Sequence, residues 1–338
     1  MKNRLRNHVV VITGASSGFG RGAAEKFARE GAHVVLAARR GDALDTVARE
    51  CRRRGVQALA VETDVSNESQ VESLAQAALR EFGRFDVWVN NAGVATYGRF
   101  TDSPMEEHEQ VIRTNLLGAM YGSRAALKQF RRQGKGVLIN VSSFAGIASF
   151  PYGASYTASK HGLRGLDTAL RQELLVHGNN KKIHVCTVMP TSMDTPFFQH
   201  AANHTGRPVQ PMPPVYNPEL VVDKIVELAV RPKPEVVVGR RGKVGKAAAR
   251  LTPRAMEKQM ATRAHKAMME RNEWAPDSSG NLFAPVEYGT EVHGGWKKSS
   301  ALGNVIRAGL GLGLSAGLIY LFRAPRGEPR QEEKIPAA

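Results

Sequence analysis

The 338-residue sequence predicts an α/β fold, in which a doubly wound parallel sheet lies between two layers of helix and a basic, mainly helical extension follows. Three observations carry this prediction. Short β-branched runs alternate with helix-like stretches through the first two-thirds of the chain. A glycine-rich turn joins the first such run to the first helix. A hydrophobic fraction of 42% is enough for one large core.

The first strand is His8-Val9-Val10-Val11-Ile12, and Thr13-Gly14-Ala15-Ser16-Ser17-Gly18-Phe19-Gly20 follows it at once. Arg21 to Arg29 then carries a helical pattern. Strand, glycine turn and helix aim backbone N–H groups and the positive helix end at a pyrophosphate, as in a Rossmann-like sheet. The glycines Gly14, Gly18 and Gly20 are spaced four and two apart, not two and three as in the commonest dinucleotide fingerprint. The second strand, His33-Val34-Val35-Leu36-Ala37-Ala38, ends where an acidic residue would accept the 2′-hydroxyl of NAD. Ala38 fills that slot and Arg39-Arg40 follows, and a planar guanidinium suits the paired oxygens of the NADP 2′-phosphate. The expected cofactor is NADP(H).

Further along, Tyr156 and Lys160 stand one helical turn apart in Tyr-Thr-Ala-Ser-Lys, with Ser143 thirteen residues upstream. Residues four apart share a helix face, so the Lys160 ammonium can approach the phenol. A phenol of pKa about 10 becomes a useful acid and base near neutrality once a cation stabilises its phenolate. With a second hydroxyl from a strand end, such a set moves protons at a carbonyl or an alcohol. It does not hydrolyse or phosphorylate.

On these residues the chain resembles a short-chain dehydrogenase/reductase over roughly residues 5–240. The matching motifs, in the family's order, are Thr13 to Gly20, Asp64-Val65, Asn90-Asn91-Ala92-Gly93, Asn115 in Thr-Asn-Leu-Leu-Gly, Ser143, Tyr156, Lys160 and Pro190 to Thr195. The family has Gly after the proline, whereas this chain has Thr191.

The resemblance implies that Tyr156 is the general acid for carbonyl reduction and the base for alcohol oxidation. It implies that Lys160 lowers the tyrosine pKa and binds the nicotinamide ribose, and that Ser143 polarises the substrate oxygen. Asn115 is expected to hold a water linking Lys160 to solvent. Cofactor contacts are expected from Gly14, Ser16, Ser17, Gly18, Phe19, Gly20 and Arg39, from Asp64 and Val65 at the adenine, and from Asn91, Ala92 and Gly93. Pro190, Thr191 and Thr195 are expected to close over the nicotinamide. A homodimer or homotetramer is expected. The implied division is a dinucleotide-binding catalytic domain over 1–240, a basic helical and irregular extension over 241–300, a hydrophobic glycine-rich segment over 301–322 and a polar tail over 323–338.

The two cysteines, Cys51 and Cys186, make no disulfide framework and read as thiols of a reducing compartment. A polar Met1 to Asn7 leads directly into the first strand, so a cytosolic or cytosol-facing location is expected. The pairs His200/His204 and Glu107-His108-Glu109 lack a convincing third or fourth ligand, and no metal is expected. Phe197, Phe198 and the proline-rich Arg207 to Pro218 either cover an apolar substrate or pack on the core.

Charge is uneven. Residues 1–230 hold 28 Lys+Arg against 21 Asp+Glu, and residues 231–338 hold 19 against 10. Gly239 to Arg271 reads as a basic helix pair broken at Thr252-Pro253, with Leu251, Met256, Met260, Ala264 and Met268 at helical spacing. Solvated charge and an anionic membrane surface are both open readings, while missing aromatics and nucleic-acid modules weigh against nucleic acid. Residues 272–300 read as irregular linker. Ala308 to Phe322 is uncharged and carries Gly309, Gly313 and Gly317 on one helical face. It reads as a membrane anchor, dipping or spanning, with a helix packed on protein as the alternative.

Two classes of function fit the sequence: an active NADP(H)-dependent oxidoreductase acting on apolar carbonyls, or a cofactor-binding scaffold or sensor. The complete Asn115, Ser143, Tyr156, Lys160 set favours the enzyme. NAD-dependent alcohol oxidation is the alternative within that class.

Overall fold

Strand β1 (Val9–Thr13) shows how the layers are built. All five residues are buried, and they divide by parity: Val10 and Ile12 face one helix layer, Val9 and Val11 the other. A strand covered on both faces needs apolar residues at every position, which is why it reads as a continuous run.

The computed structural model describes residues 4–177, 181–270 and 272–297. Along it run α1 (Gly18–Arg29), β2 (His33–Ala38), α2 (Gly41–Arg52), β3 (Ala58–Glu62), α3 (Glu68–Phe82) and β4 (Val87–Asn90). Then come β5 (Thr96–Gly98), α4 (Met105–Ile112), a π-helical turn (Arg113–Leu117), α5 (Gly118–Gln133), β6 (Gly136–Val141) and α6 (Ala154–Val176). The last elements are β7 (Ile183–Pro190), α7 (Phe197–His200), β8 (Ala202–His204), α8 (Glu219–Val230), β9 (Glu235–Val238), α9 (Arg240–Leu251) and α10 (Pro253–Met268).

Seven strands form one parallel sheet in the order β3-β2-β1-β4-β6-β7-β9. Ala23 and Phe27 of α1, Leu44 and Val47 of α2 and Val221 and Ile225 of α8 cover one face. Leu74 of α3 and Ala126 and Phe130 of α5, with Leu170 and Leu174 of α6, cover the other. The order reverses between β1 and β4, which opens a crevice beyond their carboxyl ends. The expected Rossmann-like, three-layer α/β/α fold is thus present.

A second, two-stranded sheet pairs β5 with β8 in parallel and lies over that crevice. It buries Tyr97 against Phe150 and Phe198, at 6.3 and 6.4 Å between ring centres, and so holds α7 in place. The basic region after β9 folds as a helix pair split at Thr252, with Met256, Ala264 and Met268 buried. Leu251 differs from expectation: it is 79% exposed, because the break at Thr252 turns the end of α9 away from the α10 contact face.

Residues 272–297 have no regular helix or strand but are no linker. Leu282 is fully buried, and the segment hydrogen-bonds to Arg21, Arg39 and Arg40. It belongs to the same compact unit as the sheet. The segment 301–322, read as a membrane anchor, lies outside the described residues. Among the described residues no helix is long and apolar enough to cross a membrane.

Candidate active site

A cavity of about 1140 Å³ opens at the carboxyl ends of β1, β2, β4, β6 and β7. Of the residues expected to serve catalysis or cofactor binding, all but Gly20 and Asn115 line it.

Its floor is the glycine turn. Gly14 and Gly18 have φ of +66° and +52°, a region in which other side chains are strained. A β-carbon on Gly14 would also lie 2.8 Å from Ala92 Cα, so this glycine lets the turn lie flat against the loop after β4. Thr13 fastens the two segments, its Oγ1 accepting from the N–H groups of Asn91 and Ala92 at 3.0 and 3.2 Å. The Asn91 amide donates to the Thr13 carbonyl at 3.0 Å. Gly20 sits behind the turn, where a β-carbon would fall 2.1 Å from the Gly14 carbonyl oxygen.

At the end of β2, Arg39 and Arg40 line the cavity beside Asp64 and Val65. Burial pushes both guanidinium pKa values down, and the Asp64 carboxylate opposes this at Arg39. Both remain cationic. Asp64 itself accepts from the Ser66 N–H and hydroxyl at 2.9 and 2.7 Å.

Ser143 follows β6, and Tyr156 and Lys160 lie on the first turns of α6. The Ser143 oxygen accepts from the Ala145 N–H at 3.1 Å, leaving its hydrogen to donate elsewhere. Burial pushes the Tyr156 phenol up to about 12, with the Ser143 hydroxyl pulling against it. Burial likewise pushes Lys160 down to about 8.

The Lys160 ammonium donates to the Val141 carbonyl at 2.9 Å and lies 5.6 Å from the Tyr156 ring centre. Its charge is anchored on the end of β6, and desolvation of the phenol dominates.

Asn115 sits in the π-helical turn, where the Gly118 N–H reaches back to the Arg113 carbonyl. Such turns widen a helix locally and recur at functional sites. The Asn115 side chain is engaged at both ends. Its Oδ1 accepts from the Val94 N–H at 2.8 Å, and its Nδ2 donates to the Val94 carbonyl and to Ser159 Oγ at 2.9 and 3.1 Å. A β-carbon on Gly93 would lie 3.4 Å from Asn115 Oδ1 and 3.6 Å from Lys160 Nζ, so these groups meet at one small gap.

Thr191 explains itself through residues that the sequence reading passed over. Its Oγ1 donates to the Val238 carbonyl at 3.2 Å. Its side chain fills space left by two glycines: β-carbons on Gly239 and Gly242 would lie 2.2 and 2.6 Å from it. The bulk added after Pro190 is matched by bulk missing after β9.

Over the other part of the cavity, Tyr156 packs on Phe197 and Phe150, with ring centres 5.5 and 6.4 Å apart. Met212, Met256, Met260 and Met268 complete an apolar wall. Arg240, Arg241, Arg263 and Lys266 also line it, and among the described residues the only acidic one in the lining is Asp64, beside Arg39. The α9 and α10 contribution was foreshadowed only by methionines at helical spacing. His204, weighed as a metal ligand, instead bridges Glu107 and Asp277 at 2.9 and 3.4 Å.

The segment after α10 also reaches this cavity, where Asn281, Pro285 and Val286 form part of the lining. Nothing in the sequence reading anticipated this.

A family model described as short chain dehydrogenase matches residues 8–206. The Bacillus subtilis protein named uncharacterized oxidoreductase YxnA is 37% identical over 263 residues, covering 76% of this chain and 73% of that protein. A match of that length must run beyond residue 206. A Staphylococcus epidermidis diacetyl reductase, (S)-acetoin forming, is 36% identical over 184 residues, covering 54% of this chain and 72% of its own. Among solved structures, an alcohol dehydrogenase from the archaeon Thermococcus sibiricus, complexed with 5-hydroxy-NADP, superposes with a TM-score of 0.60 at 29% identity. That superposition covers 69% of this chain and 96% of the other. With the glycine turn, the hydroxyl pair and the lysine all at one crevice of a seven-stranded sheet, the chain belongs to the short-chain dehydrogenase/reductase family of oxidoreductases.

Proposed function

We propose that this protein is an NADP(H)-dependent oxidoreductase that interconverts an apolar carbonyl compound and its alcohol, with Tyr156 moving the proton. One observation carries the reading. Ser143, Tyr156 and Lys160 line the same cavity as Arg39 and Arg40, on the far side of β1 and β4, with no acidic residue at Ala38. A dinucleotide fits this lining in kind. The glycine turn offers backbone N–H groups to a pyrophosphate, and the two guanidinium groups suit a 2′-phosphate better than a 2′-hydroxyl.

The bound cofactor supplies or accepts the hydride. The chain's own residues handle the oxygen and the proton. With its pKa pushed up to about 12, the Tyr156 phenol keeps its proton at neutral pH and can give it to a carbonyl oxygen as that oxygen gains negative charge. Ser143, already accepting from Ala145, directs its O–H to the same oxygen. Lys160, held by the Val141 carbonyl, keeps a positive charge near the phenolate that results. Asn115 and Ser159 stand behind it as the start of a route for proton return.

Phe150, Phe197, Phe198 and the methionines favour an apolar substrate body. Arg240, Arg241, Arg263 and Lys266 form no ion pair with an acidic residue among the described residues. They favour a negative group at the end remote from the carbonyl. A panel of apolar ketones and aldehydes, assayed with NADPH and with NADH and with each product alcohol run in reverse, tests the reading. Turnover with NADPH supports it. Tight NADPH binding without turnover of any compound would instead favour a scaffold or sensor.

A further inference from the structure

The glycine turn and both arginines at the end of β2 are fastened to a distant stretch of chain through its backbone. Arg39 donates to the carbonyls of Asn281 and of Leu282, the latter at 3.0 Å. Arg40 donates to the Val286 and Tyr288 carbonyls at 2.9 and 2.8 Å. Arg21 donates to the Thr290 carbonyl at 3.0 Å, and the Gly18 N–H donates to the Glu291 carbonyl at 2.9 Å. Beyond these, Trp296 donates from Nε1 to the Thr195 carbonyl at 2.9 Å and from its backbone N–H to Asp194 at 2.7 Å. Its indole also stands edge-on to Phe198, 6.3 Å between ring centres.

The segment therefore runs along the whole cofactor side of the cavity, from the end of β2, past the glycine turn, to the loop after β7. It is pinned at its ends by buried Leu282 and half-buried Trp296. Between them most side chains are exposed, and much of the span is held by its carbonyls on Arg21, Arg39 and Arg40. Hydrogen bonds to charged donors are stronger than neutral ones, yet they can exchange with another anion or acceptor without disturbing a core.

We propose that residues 281–296 are a strap that closes over the adenosine half of the dinucleotide and holds Arg39 and Arg40 in the pose that grips the 2′-phosphate. Each guanidinium has five donors. The strap carbonyls take two on Arg39 and two on Arg40, which fixes the planes while leaving donors for a phosphate. Because Trp296 also ties the strap to Thr195 beside α7, the strap must lift, and loosen its hold on α7, before the dinucleotide leaves. Cofactor exchange is then slower than an open crevice would allow. The proposal rests on the NADP(H) reading given above.

Two measurements test it. In hydrogen–deuterium exchange of the full-length protein, added NADPH should slow the amides of 281–296 along with those of the glycine turn. In stopped-flow fluorescence, Trp296→Ala should raise the NADPH dissociation rate by about tenfold, the effect of one lost part-buried hydrogen bond with its packing. If NADPH protects the glycine turn but leaves 281–296 unchanged, the strap proposal is overturned while the cofactor assignment stands. The same holds if a folded Trp296→Ala protein releases NADPH at the wild-type rate. Absence of NADPH binding altogether would overturn the cofactor reading itself, and the strap proposal with it.

Discussion

Thr191 and Gly239 are sterically exclusive partners: a β-carbon on Gly239 would lie 2.2 Å from the Thr191 hydroxyl oxygen. Gly239 also has φ of +120°, which a side chain would strain by about 1–3 kcal/mol. Gly239→Ala should therefore destabilise the protein by both routes, lowering Tm by roughly 3–10 °C on the usual scaling. Adding Thr191→Gly should recover the steric share and leave the backbone share. Thermal unfolding of the three variants reads this directly, and an unchanged Tm in Gly239→Ala would mean that the turn has room the geometry denies.

Tyr156→Phe keeps the ring packed against Phe150 and Phe197 and removes only the proton. General acid–base help is worth about 10²–10⁴-fold. Carbonyl reduction should fall by that factor with cofactor binding retained. In the wild type, a phenol pushed up to about 12 stays protonated through neutrality. Reduction should therefore vary little with Tyr156 ionisation between pH 6 and 9, on the order of the profile's own scatter. Alcohol oxidation, which needs the phenolate, should climb with pH over the same range. A Phe variant within a few-fold of wild type would remove Tyr156 from the chemistry.

At the end of β2, Ala38→Asp with Arg39→Ala should turn the cofactor preference. The new carboxylate repels a 2′-phosphate and accepts from a 2′-hydroxyl, and the lost guanidinium removes a charge-assisted grip worth about 1.5–3 kcal/mol. NADPH affinity should drop by roughly 10–100-fold while NADH affinity rises or holds. Titrations of both cofactors against both proteins test this, and tighter NADH than NADPH binding by the wild type would already contradict the premise.

The parts of this site that the sequence made legible are those governed by local rules. The glycine turn, the alternation of strand and helix and the one-turn spacing of Tyr156 and Lys160 each follow from backbone geometry within a few residues. The crevice itself follows from strand order. What stayed hidden joins distant residues. Arg39 and Leu282 lie 243 positions apart, and the bond uses a backbone carbonyl, which every residue carries and no motif marks. The match of Thr191 with Gly239 and Gly242 is a packing relation with no periodicity. The orientation of Lys160 toward Val141 depends on how deeply α6 is buried, a property of the assembled layers. Leu251 misled because helical spacing was read across a helix break.

Asp167 offers a prediction about stability rather than turnover. It is fully buried on α6, where Asn140 donates to its Oδ1 and the Thr187 hydroxyl donates to its Oδ2, the latter at 2.6 Å. Burial pushes its pKa up to about 7, against the pull of Thr187, Asn140 and Arg171. A carboxyl whose folded pKa lies above its unfolded value favours the folded state fully below the unfolded pKa of about 3.9. That contribution is lost as pH rises toward the folded value of about 7 and stays lost above it. Glu235, pulled down to about 2 by Arg164 and Lys246 despite its burial, acts in the opposite sense and supports the fold above the ordinary carboxylate range. Asp167→Asn keeps an acceptor for Asn140 and can donate to Thr187, so it removes the titration with little loss of bonding. The Tm of the variant relative to wild type should therefore improve from pH 5 to about pH 7 and level off above it. A difference that stays constant over that range would show that Asp167 does not change its protonation on folding.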